Sequence, residues 1–364
     1  MLEAGIVGAV ISVTLILPIL IVFLIFGLLI FILGFYLSKP SPSMDFSTLR
    51  RKHVMITGGS SGIGRSLALR AARMSANISL IARDLRKLED TVEEVKKNMQ
   101  NPLEQRVYVI SADVSSDWEG LKEKLKAAEN ELGPVSYLIN CAGFCISRVF
   151  EDLREKDFRS MMDVNFMGSV AVTRAVIEGM KEKREGHIVF LSSLAGVFGM
   201  YGFTGYSPSK FALKGFAEAL AMEVKPWDIH VTLAMPPDTD TPGFAQEEMG
   251  KPEITKKISG TVDLKPCDEV AEAIFKDILA RRFLSTCGSL LGEALTSVAV
   301  GMSPKDGPVR LLGQVTTRFV FGLGPLRIVT VAILHHFDRL VARGLEEAGT
   351  PSAQPGSSPV LRPS

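Results

Sequence analysis

Cysteine is scarce in this chain: 364 residues hold four, Cys141, Cys145, Cys267 and Cys287. None forms a CxxC pair and no histidine stands near the closest two, so no metal centre is expected. A disulfide framework is excluded as well, because a chain this long and apolar builds its own core; a reducing compartment is implied. Net charge is also missing. Lys and Arg number 41 against 40 Asp and Glu, which leaves +1 and no basic field for nucleic acid.

Charge of either sign is wholly absent between Glu3 and Lys39, where the run reads ISVTLILPILIVFLIFGLLIFILGFY at its centre. A bilayer span takes about 20 apolar residues, so this run is long enough to cross. A cleaved signal peptide would carry an apolar core of only about 7–15 residues behind a basic start. Here an acid leads. Residues 1–38 are therefore expected to form an uncleaved transmembrane anchor, with Pro18 and the surplus length admitting a tilt, a kink or an interfacial half. Lys39, Arg50, Arg51 and Lys52 follow the run and no Lys or Arg precedes it, which places the body of the chain in the cytosol.

Residues 39–52 open Pro/Ser-rich and read as a linker. From His53 short apolar runs alternate with longer helical stretches. HVMIT, NISLIA, RVYVISA, VSYLIN, HIVFLS and IHVTLAM are strand candidates, each followed by at least a dozen helix-compatible residues. That alternation predicts an α/β domain over 53–280, a Rossmann-type doubly wound parallel sheet covered by helices on both faces. Residues 281–345 form an apolar C-terminal region. Arg327 and Pro325 interrupt it, so it reads either as a helix on the membrane surface or as a buried terminal helix on the sheet. The tail over 346–364 has no apolar period and is expected to be disordered.

Three motifs carry chemistry. Thr57-Gly58-Gly59-Ser60-Ser61-Gly62-Ile63-Gly64 follows the first strand and opens a helix. Glycines there let the backbone approach a pyrophosphate, whose charge meets the N–H groups of the helix start. Asn140 begins NCAG after the fourth strand. Tyr206 and Lys210 stand four apart (210 − 206), on one helical face, so an ammonium is expected to lower the phenol's titration. Ser193 lies thirteen residues before Tyr206 (206 − 193), with Ser192 adjoining it.

TGGSSGIG, NCAG and YSPSK, in this order and spacing, resemble the short-chain dehydrogenase/reductase family over residues 53–245. The resemblance implies a nicotinamide dinucleotide in Gly58, Ser60, Ser61, Gly62 and Gly64, with Asp113 on the adenine and Asn140, Tyr206, Lys210 and Thr241 toward the nicotinamide end. It implies catalysis by Tyr206 and Lys210 with Ser193, or its neighbour Ser192, on the substrate carbonyl, and Asn165 in a water-linked proton path. It also admits a homodimer.

At the end of the second strand, Ala82 stands where an acid would hold the ribose 2′-hydroxyl of NAD, and Arg83 follows, with Lys87 a turn later. A guanidinium pairs with a 2′-phosphate that a carboxylate would repel, so NADPH is expected. The competing reading has Asp84 grip the ribose. The loop PPDTDTPGFAQEE resembles members of that family that reduce a long-chain amino ketone lipid on the cytosolic face of the endoplasmic reticulum membrane. Phe198, Met200, Tyr201 and Phe203 are candidates for an apolar mouth. Asp238 or Asp240 is either a partner for the substrate ammonium or a turn residue capping backbone N–H groups. Steroid or acyl ketone reduction, and NADPH sensing without turnover, are the other readings.

Overall fold

The protein is seen in a computed structural model, which describes residues 23–28, 49–260, 264–289, 292–293 and 295–296. In chain order the first half runs β1 (His53–Thr57), α1 (Gly62–Arg73), β2 (Asn77–Ala82), α2 (Leu85–Asn98), β3 (Val107–Ser111), α3 (Trp118–Leu132) and β4 (Val135–Asn140). The second half runs α4 (Glu155–Met162), α5 (Gly168–Lys183), β5 (Gly186–Leu191), α6 (Tyr206–Val224) and β6 (Ile229–Ala234). After these come β7 (Thr239–Asp240), α7 (Pro242–Gly250), α8 (Glu253–Ser259), β8 (Lys265–Pro266), α9 (Cys267–Leu279) and β9 (Leu284–Ser285). A π-turn, Asp163–Met167, joins α4 to α5.

Seven strands form one parallel sheet in the order β3-β2-β1-β4-β5-β6-β9. The order reverses at β1, so a crevice opens beyond the carboxyl ends of β1 and β4, the usual place for a ligand in such sheets. The strands are apolar on both faces because helices cover both. Their side chains alternate between two cores, as a period of two requires. Met55, Leu138, Ile188, Phe190 and Leu233 pack with α3, α5 and α6 through Leu125, Val172, Val176, Leu213 and Leu220. Val54, Ile56, Leu80, Ile139 and Val189 pack with α1, α2 and α9 through Leu67, Ala71, Leu88, Ile274 and Phe275. Fully burying one such side chain contributes about 1.5–3 kcal/mol, a large share of the roughly 5–15 kcal/mol by which a domain is stable.

The helices start where the sequence offers caps. Asp84 accepts from the Lys87 N–H at the head of α2, and Asp117 accepts from Glu119 and Gly120 at the head of α3. Two histidines inside the sheet stay neutral. His53 lies between Gly133 O and the Ser79 hydroxyl, and burial lowers it to about 4. His187 donates from Nε2 to Thr232 Oγ1 at 2.7 Å, that hydroxyl donating in turn to Arg282 O, and burial lowers His187 to about 3.

The sheet does not stop at 280. β9 pairs with β6 through Leu233↔Leu284 and Ala234↔Ser285, so the stretch expected to begin a separate C-terminal region instead supplies the seventh strand. Two residues of strand are too short to leave a periodic signal. The remainder of the 281–345 region, except 292–293 and 295–296, the 346–364 tail and all of the expected anchor except 23–28 lie outside the described residues. Residues 23–28 are helical, with Phe23, Leu24, Ile25, Phe26 and Leu28 exposed. Among the described residues no helix is long and apolar enough to cross a membrane.

Candidate active site

The crevice at the switch point is built first by glycine. Gly58 and Gly62 have φ of +66° and +52°, the left-handed region open to glycine at little cost. A Cβ on Gly58 would come within 3.0 Å of the Cys141 and Ala142 backbone, so the first loop lies directly on the end of β4. Thr57 clamps the two together, its hydroxyl accepting from the N–H groups of Cys141 and Ala142 at 3.0 Å each. The N-terminus of α1 opens into this crevice with no side-chain cap at Ser61 and no acid in its first turn. Its N–H groups and dipole are therefore available to an anion. Asn140 is buried, donates to Thr173 at 3.2 Å, and leaves its Oδ1 without a partner among the described residues. These features fit a dinucleotide: a bare helix start for its pyrophosphate and a spare buried acceptor farther along.

At the adenosine end, Arg83 is largely exposed, its Nη1 3.9 Å from the Asp113 carboxylate. Burial pushes the Asp113 carboxyl up, but two bonds from Ser115 and the charge of Arg83 together hold it below its ordinary value. Asp84 is committed to the α2 cap, and Lys87 stands 3.9 Å from it. Thr241 caps α7 by accepting from the Phe244 N–H, and its methyl lies against Gly62, which brings this second loop over the first.

The catalytic candidates converge at the ends of β5 and α6. Ser193 hydrogen-bonds Tyr206, and its oxygen also accepts from the Ala195 N–H at 3.1 Å. Ser192 faces the other way: it is buried and donates to the Lys210 main-chain carbonyl at 3.1 Å. Of the two serines that the sequence left open, Ser193 is the one that faces Tyr206, while Ser192 braces α6. Lys210 is buried, donates to Leu191 O at 2.8 Å, and sits 5.6 Å from the Tyr206 ring centre.

One expectation is reversed. Tyr206 is not lowered by the ammonium. Desolvation, with Cys145 and Glu247 adding to it, raises the phenol well above its ordinary value, and the Ser193 bond offsets only part. Lys210 itself is lowered to about 8 by burial. A low-dielectric site disfavours both charged forms at once, and that effect outweighs the pairing foreseen from spacing. Tyr206 thus keeps its proton.

Asn165 is fully buried within the π-turn. Its Oδ1 accepts from Phe144 N–H at 2.9 Å, and its Nδ2 donates to Phe144 O at 3.0 Å and to Ser209 Oγ at 2.9 Å. Its side-chain amide is thus committed to holding residues 143–144 against α6. Of the proposed apolar mouth, Phe203 packs edge-on to Tyr206 at 5.5 Å, whereas Phe198 turns into the core beside α6.

A family model described as short chain dehydrogenase matches residues 52–251. The chain belongs to that family. Its similarity to other short chain dehydrogenases extends beyond the matched segment. A 3-dehydrosphinganine reductase of Danio rerio is 44% identical over 86% of this chain and 92% of its own length. A 3-ketodihydrosphingosine reductase of Bos taurus is 44% identical over 87% and 93%. Among solved structures, levodione reductase superposes with a TM-score of 0.60 at 23% identity, over 65% of this chain and 96% of its own, a likeness of fold.

Beside this dehydrogenase site stand residues that sequence reading passed over: Cys145, Glu247 and Lys251. The signal was present in the pair Glu247 and Lys251, one helical turn apart in QEEMGK, but it resembles any solvated helical pair.

Proposed function

We propose that this chain reduces the ketone of 3-dehydrosphinganine to the alcohol of sphinganine, using NADPH, at the cytosolic face of the endoplasmic reticulum membrane. The observation that carries the reaction is the bond between Ser193 and a protonated Tyr206 with Lys210 behind the ring. The substrate follows from relatives of that printed activity matching over nine-tenths of their length. NADPH in preference to NADH is supported by Ala82 in place of an acid and by the exposed guanidinium of Arg83. The membrane is supported by the uncharged run between Glu3 and Lys39 and by the lipid character of the substrate.

When bound, the dinucleotide supplies a hydride to the carbonyl carbon. The chain's own residues do the rest. The bare start of α1 and Gly58 would hold the pyrophosphate, and Arg83 the 2′-phosphate. Ser193 and Tyr206 bracket one point within hydrogen-bond reach of both, where the ketone oxygen is held and polarised. As negative charge grows on that oxygen, Tyr206 donates its proton. The phenolate left behind forms beside the Lys210 ammonium, which stabilises it.

The test is NADPH oxidation by detergent-solubilised protein with 3-dehydrosphinganine, a steroid ketone and a β-ketoacyl thioester, Tyr206→Phe serving as the blank. Turnover only with the amino ketone is expected. Faster turnover of either competitor, or none with the amino ketone, defeats the reading.

A further inference from the structure

The reaction as described leaves a group of buried charges unused. Lys251, between α7 and α8, has a side chain that is 0% exposed. Its ammonium meets Glu247 at 2.8 Å, Glu248, the Ser259 hydroxyl at 3.3 Å and the Phe244 ring at 4.6 Å. Asp238, on the loop after β6, hydrogen-bonds Ser259 and shares the same cation. Three carboxylates face one ammonium. Desolvation pushes the carboxyls of both Asp238 and Glu247 upward, so their charge is only partly compensated. A pair kept for stability alone gains nothing from such an imbalance, because an unmatched buried charge is costly.

The group adjoins the reacting centre along one segment of chain. A Cβ on Gly143 would come 3.4 Å from Lys210 Nζ and 3.0 Å from Asn165 Oδ1. Two residues on, the Cys145 thiol hydrogen-bonds Glu247, and two further on Ser147 backs onto Gly250 of α7. Burial raises that thiol well above its ordinary value, so it stays protonated and donates. An extended chain advances about 3.3 Å per residue. Cys145, and with it the Glu247 carboxylate it bonds, is therefore at most about 7 Å of chain from Gly143, which lies on Lys210. The same group also reaches Tyr206 by contact: Thr255 of α8 donates to Tyr201 O at 2.9 Å, and Phe203, two residues on, packs on the Tyr206 ring at 5.5 Å, so the carboxylates lie on the side of the hydroxyl that holds the ketone and oppose its ionisation.

We propose that Glu247, with Asp238 beside it, receives the ammonium that the substrate carries on the carbon next to its ketone. The inference rests on the function proposed above. In an α-amino ketone the cation is only a few bonds from the carbonyl oxygen, so its partner must lie beside Tyr206. Glu247 does, and Lys251, four residues on, fixes its orientation. Asp240 is exposed on β7 and takes no part. A charge-assisted bond of this kind selects an amine over its neutral analogue.

The experiment compares 3-dehydrosphinganine with the analogue bearing hydrogen in place of the amino group. It uses detergent-solubilised full-length wild type, Glu247→Gln, Glu247→Asp and Asp238→Asn. Glu247→Gln is expected to lower kcat/KM for the amine by about tenfold or more, through KM, and for the analogue by less than about threefold. Glu247→Asp is expected to recover part of the loss, and NADPH binding followed by fluorescence to stay unchanged. Equal losses on both substrates, or none, overturn the assignment. If Glu247→Gln fails to fold, the wild type still decides: a saturated long-chain amine must inhibit it more tightly than the alcohol of equal length, and equal inhibition overturns the assignment. No turnover of the amino ketone by wild type defeats the function itself and the inference with it, whereas turnover with unselective losses defeats the inference alone.

Discussion

Replacing Arg83 with alanine separates the reading of the cofactor from the reading of the fold. The guanidinium lies one residue beyond β2, 75% exposed, its Nη1 3.9 Å from the Asp113 carboxylate. Nothing there holds up the sheet, so the variant should fold as the wild type does. A hydrogen bond to a charged group contributes about 1.5–3 kcal/mol. Exposure to solvent and salt moves this contact to the lower end, about 1.5 kcal/mol, which is roughly tenfold in kcat/KM. The expectation is therefore about a tenfold loss with NADPH and no loss with NADH, measured at saturating ketone. Salt gives an independent check. The screening length falls from about 10 Å at 0.1 M to about 3 Å at 1 M, so the wild-type preference for NADPH should shrink as salt rises, and the variant's should not. Ala82→Asp, which restores an acid at the strand end, should repel the 2′-phosphate and shift preference toward NADH. An equal loss with both dinucleotides would refute the reasoning, because it would mean that Arg83 positions β2 and does not read the phosphate.

Tyr206→Phe should lower kcat by about 10²–10⁴ and weaken NADPH binding far less, since it removes the proton donor but leaves the start of α1, Gly58 and Arg83 in place; titration by fluorescence alongside turnover checks both. The rate should also carry the titration of Lys210: with its ammonium lowered to about 8, kcat/KM for reduction is expected to fall as pH rises through about 8. A profile flat to pH 9.5 would contradict that. Stability should fall in acid. His187 is held near 3 against about 6.5 unfolded, so the unfolded chain binds the proton first and stability is lost as pH drops below about 6.5. Between pH 7 and 4.5 this amounts to about 2.5 kcal/mol, and His187→Gln, which keeps a donor for Thr232, should show a smaller drop in Tm over the same range.

The sheet was legible because each buried strand is a compact apolar run. HVMIT, NISLIA and VSYLIN match β1, β2 and β4 residue for residue, and the others differ by one residue at one or both ends. β9 was not legible, since a two-residue strand has no period, and its place was mistaken for the start of another region. The cofactor loop and the Ser193–Tyr206–Lys210 set were legible from spacing. Their electrostatics were not. Spacing shows which groups meet, but only burial shows that Lys210 donates to Leu191 O and that Ser192 serves a helix carbonyl. Glu247 and Lys251 were illegible for the same reason: an i, i+4 pair reads as a solvated face until α7 is seen folded over residues 145–148.

Burial sets the direction in which this site is poised. In water a phenol and an ammonium titrate close together, near 10 and 10.4, and a proton passes between them with little preference. Here the same loss of water acts on the two in opposite senses, because it penalises phenolate and ammonium alike. Tyr206 rises and Lys210 falls to about 8. The proton is thereby fixed on Tyr206 through the physiological range, while Lys210 remains charged enough at neutrality to meet the phenolate when it forms. Groups whose surroundings drive their titrations apart take separate roles, acid and electrostatic support. The negative charges of Glu247 and Asp238 add to the same tendency, since they too oppose ionisation of the phenol. An arriving ammonium would cancel part of that opposition, so the cation that completes recognition would also ease proton release from Tyr206. On this argument a ketone lacking the amine should bind less tightly and also give up its advantage in kcat.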